Sequence, residues 1–169
     1  MALKAQDIVV LLRVASWQGE WTYPKLADSL EMSASEVHAA IRRAQESGLF
    51  DGAQRRVVQQ SLMEFLEHGL RYVFPIVRSG IGRGMPTAHA APPLSDRISA
   101  GGTDLPPVWP DSKGEGRGET WKPLYRSVPA AARKDQRFYE IMTLVDALRG
   151  GRARERALAA EELSRRLVS

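Results

Sequence analysis

The chain has 169 residues, a hydrophobic content of 43%, a formal net charge of +4 and no cysteine. This length and composition allow a sizeable core, and the absence of cysteine excludes disulfides, thiolate zinc sites and cysteine nucleophiles. The three histidines are far apart and lack ligand spacing, so we expect no metal, no cofactor and no catalytic site.

The N-terminal segment predicts a buried helix. Residues 3–16 carry a stripe of large apolar side chains, and valines make other sides of the helix apolar as well. This segment lacks a charged stretch followed by a long apolar run, and no apolar run in the chain approaches the length of a membrane span. We therefore expect a cytoplasmic protein that does not bind membranes.

Residues 21–50 predict two short helices that meet at a sharp angle. Leu26, Ala27 and Leu30 form one apolar stripe, and a second stripe at helical spacing runs from Val37 to Ala44. Ser33 and Glu36 form a capping box, which predicts that the second helix starts at Ala34.

With the second stripe facing inward, the opposite face of this helix is left for a ligand. We predict that the capping serine and the outward side chains of this helix face the major groove of DNA. These residues are Ser33, Ser35, His38, Ala39, Arg42 and Arg43.

The stretch from Lys25 to Ala44, followed by Ser47-Gly48-Leu49-Phe50, resembles the bacterial MarR-like winged helix-turn-helix regulators. The resemblance is limited to about residues 3–74. It implies a DNA-binding domain over residues 1–74, and helices outside that domain that form a homodimer. The turn position that is usually glycine in this family is Glu31, so a residue with a Cβ must accept the turn conformation.

After the second helix, Asp51-Gly52 predicts a turn and Gln54 to Val58 a short basic strand. Arg55 and Arg56 would contact the DNA backbone from this hairpin. A second capping box, Ser61 to Glu64, predicts the start of a helix that ends at His68. Residues 70–74 have the composition of a strand.

Residues 75–128 are rich in glycine and proline and show no periodicity, so we expect an irregular segment. It is either a flexible linker or a loop wrapped over the protein, and its large apolar side chains favour the loop. Trp109 and Trp121 would then attach it to the C-terminal helices. Residues 79–84 contain alternating glycines but lack the following helix and lysine of a phosphate loop.

Residues 129–169 predict a helical hairpin interrupted at Gly150-Gly151, suited to dimerisation or partner binding. The fold class predicted overall is therefore mainly α, with an N-terminal winged helix-turn-helix, an irregular middle segment and a C-terminal helical hairpin. The basic run from Arg149 to Arg156 is either a solvated helix start or a contact with flanking DNA or an acidic partner.

Residues 1–74 contain eight lysines and arginines against nine acids, so any DNA affinity must come from local clusters of charge. We expect a sequence-specific regulator that binds double-stranded DNA as a homodimer on a two-part operator. The alternative is a protein-interaction module, such as an antitoxin-like or accessory subunit of a partner enzyme, in which DNA binding is secondary.

Overall fold

The computed structural model describes residues 2–98 and 105–169. Met1 and residues 99–104, which include Gly101 and Gly102 of the predicted irregular segment, lie outside the described residues. The helices are α1 (Ala5–Ser16), α2 (Tyr23–Leu30), α3 (Ala34–Glu46), α4 (Gln59–His68), α5 (Leu70–Val73), α6 (Val128–Lys134), α7 (Gln136–Gly150) and α8 (Ala153–Leu167). The strands are β1 (Phe50–Asp51), β2 (Arg56–Val57), β3 (Arg78–Pro86), β4 (Pro107–Pro110) and β5 (Gly116–Trp121).

The predicted fold class, mainly α with an irregular middle, is wrong, because the chain combines helices with two small sheets. The middle segment contains β3, β4 and β5, and each of these strands pairs with both others to close a small barrel. Strand β3 runs antiparallel to the other two, whereas β4 and β5 are parallel to each other. Two short 3-10 helices, Ala88–Ala90 and Leu94–Asp96, follow β3.

Glycine allows the strands of the barrel to approach one another closely enough to close. It also removes the apolar side chains whose alternation would have predicted these strands from the sequence. A Cβ on Gly84 would lie 2.0 Å from the carbonyl oxygen of Trp109, and one on Gly118 would lie 1.9 Å from that of Pro106. These two buried positions therefore hold glycine where an ordinary strand would hold an apolar side chain. The alternation that predicts a strand is lost for this reason.

The N-terminal helices agree with the prediction in their type and nearly in their bounds. The segment from Ile8 to Leu12 is completely buried in α1. The predicted start of α3 at Ala34 is confirmed. Glu31 adopts the left-handed conformation, with φ of 54°, at the end of α2. A residue with a Cβ thus accepts the turn, as predicted.

Three local predictions between residues 54 and 74 differ from the structure. Helix α4 begins at Gln59, two residues before the predicted capping serine, and Val58 precedes it without a side-chain cap. Residues 70–73 form the short helix α5 and not a strand, because this segment continues from α4 and buries Leu70. The predicted basic strand is reduced to the two residues of β2.

Helix α7 lies in the centre of the molecule, in contact with α1, α5, α6 and α8. Its residues from Phe138 to Leu148 are buried, apart from the partly buried Glu140. The apolar residues predicted to form a dimer interface on this helix are therefore covered by their own chain. Among the described helices, none is both long enough and apolar enough to cross a membrane.

A buried polar network fastens the barrel to α7. The carboxylate of Asp146 accepts hydrogen bonds from Thr87 Oγ1 at 2.8 Å and from Trp109 Nε1 at 2.6 Å. Arg149 Nη1 lies 2.9 Å from the other carboxylate oxygen. Trp109 is completely buried, and the aromatic ring of Trp121 approaches the C-terminal end of α7. The predicted attachment of the middle segment through these tryptophans is confirmed.

Candidate nucleic-acid interface

Helix α3 is held at its start by local hydrogen bonds. Ser33 Oγ accepts a bond from the Glu36 amide at 3.1 Å, and the Ser33 amide donates to Glu36 Oε2 at 2.8 Å. Ser33 therefore acts as the helix cap. Helix α6 supports the preceding turn, because Lys134 Nζ lies 3.1 Å from Glu31 Oε1 and donates to the Asp28 carbonyl at 2.9 Å.

The outer face of α3 presents most of the predicted groups to solvent. Ser35, His38 and Arg42 are exposed, and Ala39 is partly exposed between them. The ring of His38 stacks on that of Tyr23, with centroids 3.6 Å apart and an angle of 15° between the planes. This stacking restricts the imidazole to one side of the exposed face. The arrangement offers hydrogen-bond donors and one free cation to a ligand.

Arg43 does not belong to this face, so its predicted outward orientation is wrong. Its residue is only 6% exposed, and its Nε and Nη2 donate to the two carboxylate oxygens of the fully buried Asp7 at 2.8 Å each. These hydrogen bonds raise the pKa of Arg43. Arg43 lies beside Ala40 on the helical wheel, at the edge of the buried stripe, where α1 reaches it. It is an interior ion pair and not a ligand contact.

The hairpin of β1 and β2 is connected to α3 by an arginine and three rings that contact one another in sequence. Arg55, with φ of 52°, places its guanidinium 4.3 Å from the centroid of the Trp21 ring. Trp21 Nε1 donates to the Arg55 carbonyl at 3.2 Å, and its ring meets that of Tyr23 edge to face at 5.3 Å. We call Arg55, Trp21, Tyr23 and His38 the aromatic row.

The aromatic members of the row also belong to the edge of the core. Trp21 and Tyr23 are partly exposed, pack against the hydrophobic core and connect the hairpin to the outer face of α3. Arg56 is exposed in β2, so both predicted hairpin arginines lie at the surface, and Arg55 is held there by its contact with Trp21.

Residues from the segment after β5 complete the start of α3, and the sequence analysis missed them. Tyr125 donates from its hydroxyl to Glu36 Oε1 at 2.6 Å, and Arg126 Nη2 lies 3.2 Å from the same oxygen. The Tyr125 hydrogen bond is the main reason why the pKa of Glu36 is lowered to about 2. The Arg126 side chain is 77% exposed, which adds a cation beside α3. No sequence signal predicts this contact, because the partners are about 90 residues apart.

A cleft of about 650 Å³ lies beside the hairpin and shares Trp21 and Arg55 with the aromatic row. It is lined by the C-terminal end of α1, by both hairpin arginines and by polar residues such as Gln59 and Gln60. Residues 79–84, whose sequence lacks the following helix and lysine of a phosphate loop, lie within β3. No protein-family model, curated protein or solved structure matches the chain.

Proposed function

We propose that this chain is a sequence-specific DNA-binding transcriptional regulator that acts as a homodimer in the cytoplasm. The observation that carries the proposal is the exposed, capped face of α3, with Ser35, His38 and Arg42 beside a short arginine-bearing hairpin. A helix of this kind fits the major groove, and its side chains can read base edges there. The resemblance of residues 3–74 to MarR-like regulators supports the same function.

The charges of this surface support a dimeric mode of binding. Arg43 is neutralised by Asp7, and Arg126 beside α3 pairs with Glu36, which leaves Arg42, Arg55 and Arg56 of the four predicted arginines. Three cations on a domain with an excess of acids give modest affinity for one subunit. Two subunits on a two-part operator multiply that affinity, which is why we propose a homodimer.

The direct test is a fluorescence-anisotropy titration with the DNA upstream of the protein's own gene and with a random duplex. We expect the upstream duplex to bind more tightly. Arg42→Ala should reduce this preference by about 1 to 3 kcal/mol if the guanidinium makes a bidentate contact with a base. Arg137→Ala is the control, since Arg137 is an exposed arginine at the start of α7. Unchanged binding by a His38→Ala, Arg42→Ala double variant would exclude this interface.

One observation favours a second candidate function, the binding of a partner protein. Tyr72, Val73 and Val77 lie within six residues of one another and are 69%, 54% and 55% exposed. Clustered apolar exposure of this kind is typical of a protein contact. Co-purification of a stoichiometric partner encoded by a neighbouring gene, lost in a Tyr72→Ser, Val77→Ser variant, would support this function. A monodisperse free homodimer would count against it.

A further inference from the structure

Two exposed arginines lie side by side on neighbouring strands of the barrel. In the antiparallel pair of β3 and β5, Arg83 lies directly opposite Arg117. Both side chains are exposed, and within the described part of the chain neither guanidinium has a hydrogen bond or an ion pair. Like charges directly opposite each other destabilise a sheet, so a ligand that neutralises them would remove a cost that the free protein bears.

The surroundings of this arginine pair leave it open to a large anion. The neighbours of Arg83 in β3 are Gly82 and Gly84, which carry no side chain that could cover the pair. Glu119 lies on the same face of β5, but its carboxylate already has other partners. Glu119 Oε1 lies 3.4 Å from Arg78 Nε and accepts a hydrogen bond from Trp121 Nε1 at 2.8 Å. Glu115 is exposed and makes no ion pair with either arginine.

The arginine pair is also connected to the helix-turn-helix through α6. The Asp111 amide donates to the Arg83 carbonyl at 3.2 Å, and the Asp111 carboxylate pairs with Arg133. The next residue, Lys134, holds the turn at Glu31. Two consecutive residues of α6 thus link the strand that carries Arg83 to the turn that positions α3.

From these observations we propose that Arg83 and Arg117 bind the phosphodiester backbone of double-stranded DNA outside the segment contacted by α3. The proposal rests on the proposed DNA binding and adds to it a second, sequence-independent contact. Two exposed guanidiniums on neighbouring, glycine-rich strands suit phosphate oxygens, which accept hydrogen bonds from the arginine fork. Such contacts position a protein on DNA without reading bases.

The test is the salt dependence of binding to fluorescein-labelled 40-base-pair duplexes, one from the upstream DNA and one of random sequence. In Arg83→Ala, Arg117→Ala we expect the slope of log affinity against log salt to become shallower by about 2, since each phosphate contact contributes about 0.9. Affinity should fall by the same factor for both duplexes. The control is Lys122→Ala, Arg137→Ala, which removes the same charge at exposed positions and should change the slope much less.

A single charge reversal separates binding from folding. Arg117→Glu places a carboxylate opposite Arg83, so the midpoint of thermal unfolding should rise while DNA affinity falls. A shallower slope for a 40-nucleotide single-stranded RNA but not for the duplexes would overturn the proposal in favour of RNA. A wild-type slope in the double alanine variant would refute this contact alone. If the wild-type protein binds neither duplex at low salt, the proposed function fails together with it.

Discussion

Replacing Arg43 by alanine should destabilise the fold and not merely weaken a surface contact. The side chains of Arg43 and Asp7 are 8% and 0% exposed, and they share two hydrogen bonds of 2.8 Å. Alanine removes one partner and leaves the Asp7 carboxylate buried with the Lys4 amide, at 2.8 Å, as its remaining donor. Breaking a buried pair in this way costs about 3 to 5 kcal/mol.

The assay is urea and thermal unfolding followed by circular dichroism. For a chain of this size, each kcal/mol corresponds to about 2 to 4 °C in the unfolding midpoint, so Arg43→Ala should lower it by roughly 6 to 20 °C. The matched control is Arg42→Ala, one residue earlier and exposed, whose free energy of unfolding should change by less than about 0.5 kcal/mol. The two neighbours should therefore give opposite results, since Arg42→Ala weakens DNA binding and Arg43→Ala weakens the fold.

A double-mutant cycle with Asp7→Ala tests whether the loss of stability in Arg43→Ala comes from the broken ion pair with Asp7. Because each single variant leaves one charge unpaired, the double variant should be less destabilised than the sum of the two single variants. Strict additivity, or an Arg43→Ala variant as stable as the wild type, would refute the interior ion pair.

Two further predictions concern the start of α3 and the barrel. Because the pKa of Glu36 is lowered from 4.5 to about 2, its stabilising contribution is complete above about pH 4.5 and is lost as the pH falls toward 2. In Tyr125→Phe this loss should be smaller when urea unfolding is compared at pH 5 and pH 3, and an identical pH dependence would contradict the role of the Tyr125 hydrogen bond. Gly84→Ala should destabilise the protein by about 1 to 3 kcal/mol or more, since the new Cβ would lie 2.0 Å from the Trp109 carbonyl oxygen. Gly80→Ala, with no atom within 4 Å of the new Cβ, is its control in thermal unfolding, and equal effects of the two would show that the barrel tolerates the added methyl group.

The sequence alone predicted those parts of the fold that depend on neighbours along the chain. Ser33 and Glu36 are three residues apart, so their reciprocal hydrogen bonds determine the start of α3 without help from the rest of the molecule. The apolar stripe of α1 and the exposed positions of Ser35, His38 and Arg42 follow from helical periodicity in the same way.

The barrel could not be predicted, because glycine at buried positions such as Gly84 and Gly118, and proline at the ends of β3 and β4, interrupt the alternation of apolar residues that indicates a strand. Its closure depends on pairing β3 with strands more than twenty residues away, and on Trp109 and Thr87 reaching Asp146 in α7. Nothing local in the sequence distinguishes such a segment from an irregular loop.

Adjacent arginines illustrate the same division most clearly. Sequence periodicity put Arg42 and Arg43 together on one outer face, because both fall outside the apolar stripe. Only the tertiary structure separated them, since Asp7 approaches from α1, 36 residues away, and takes Arg43 into the interior. The sequence determined where α3 begins and what it can expose. Long-range contacts decided which cations remain free, because the fate of a charge at the edge of a helix depends on what packs against it.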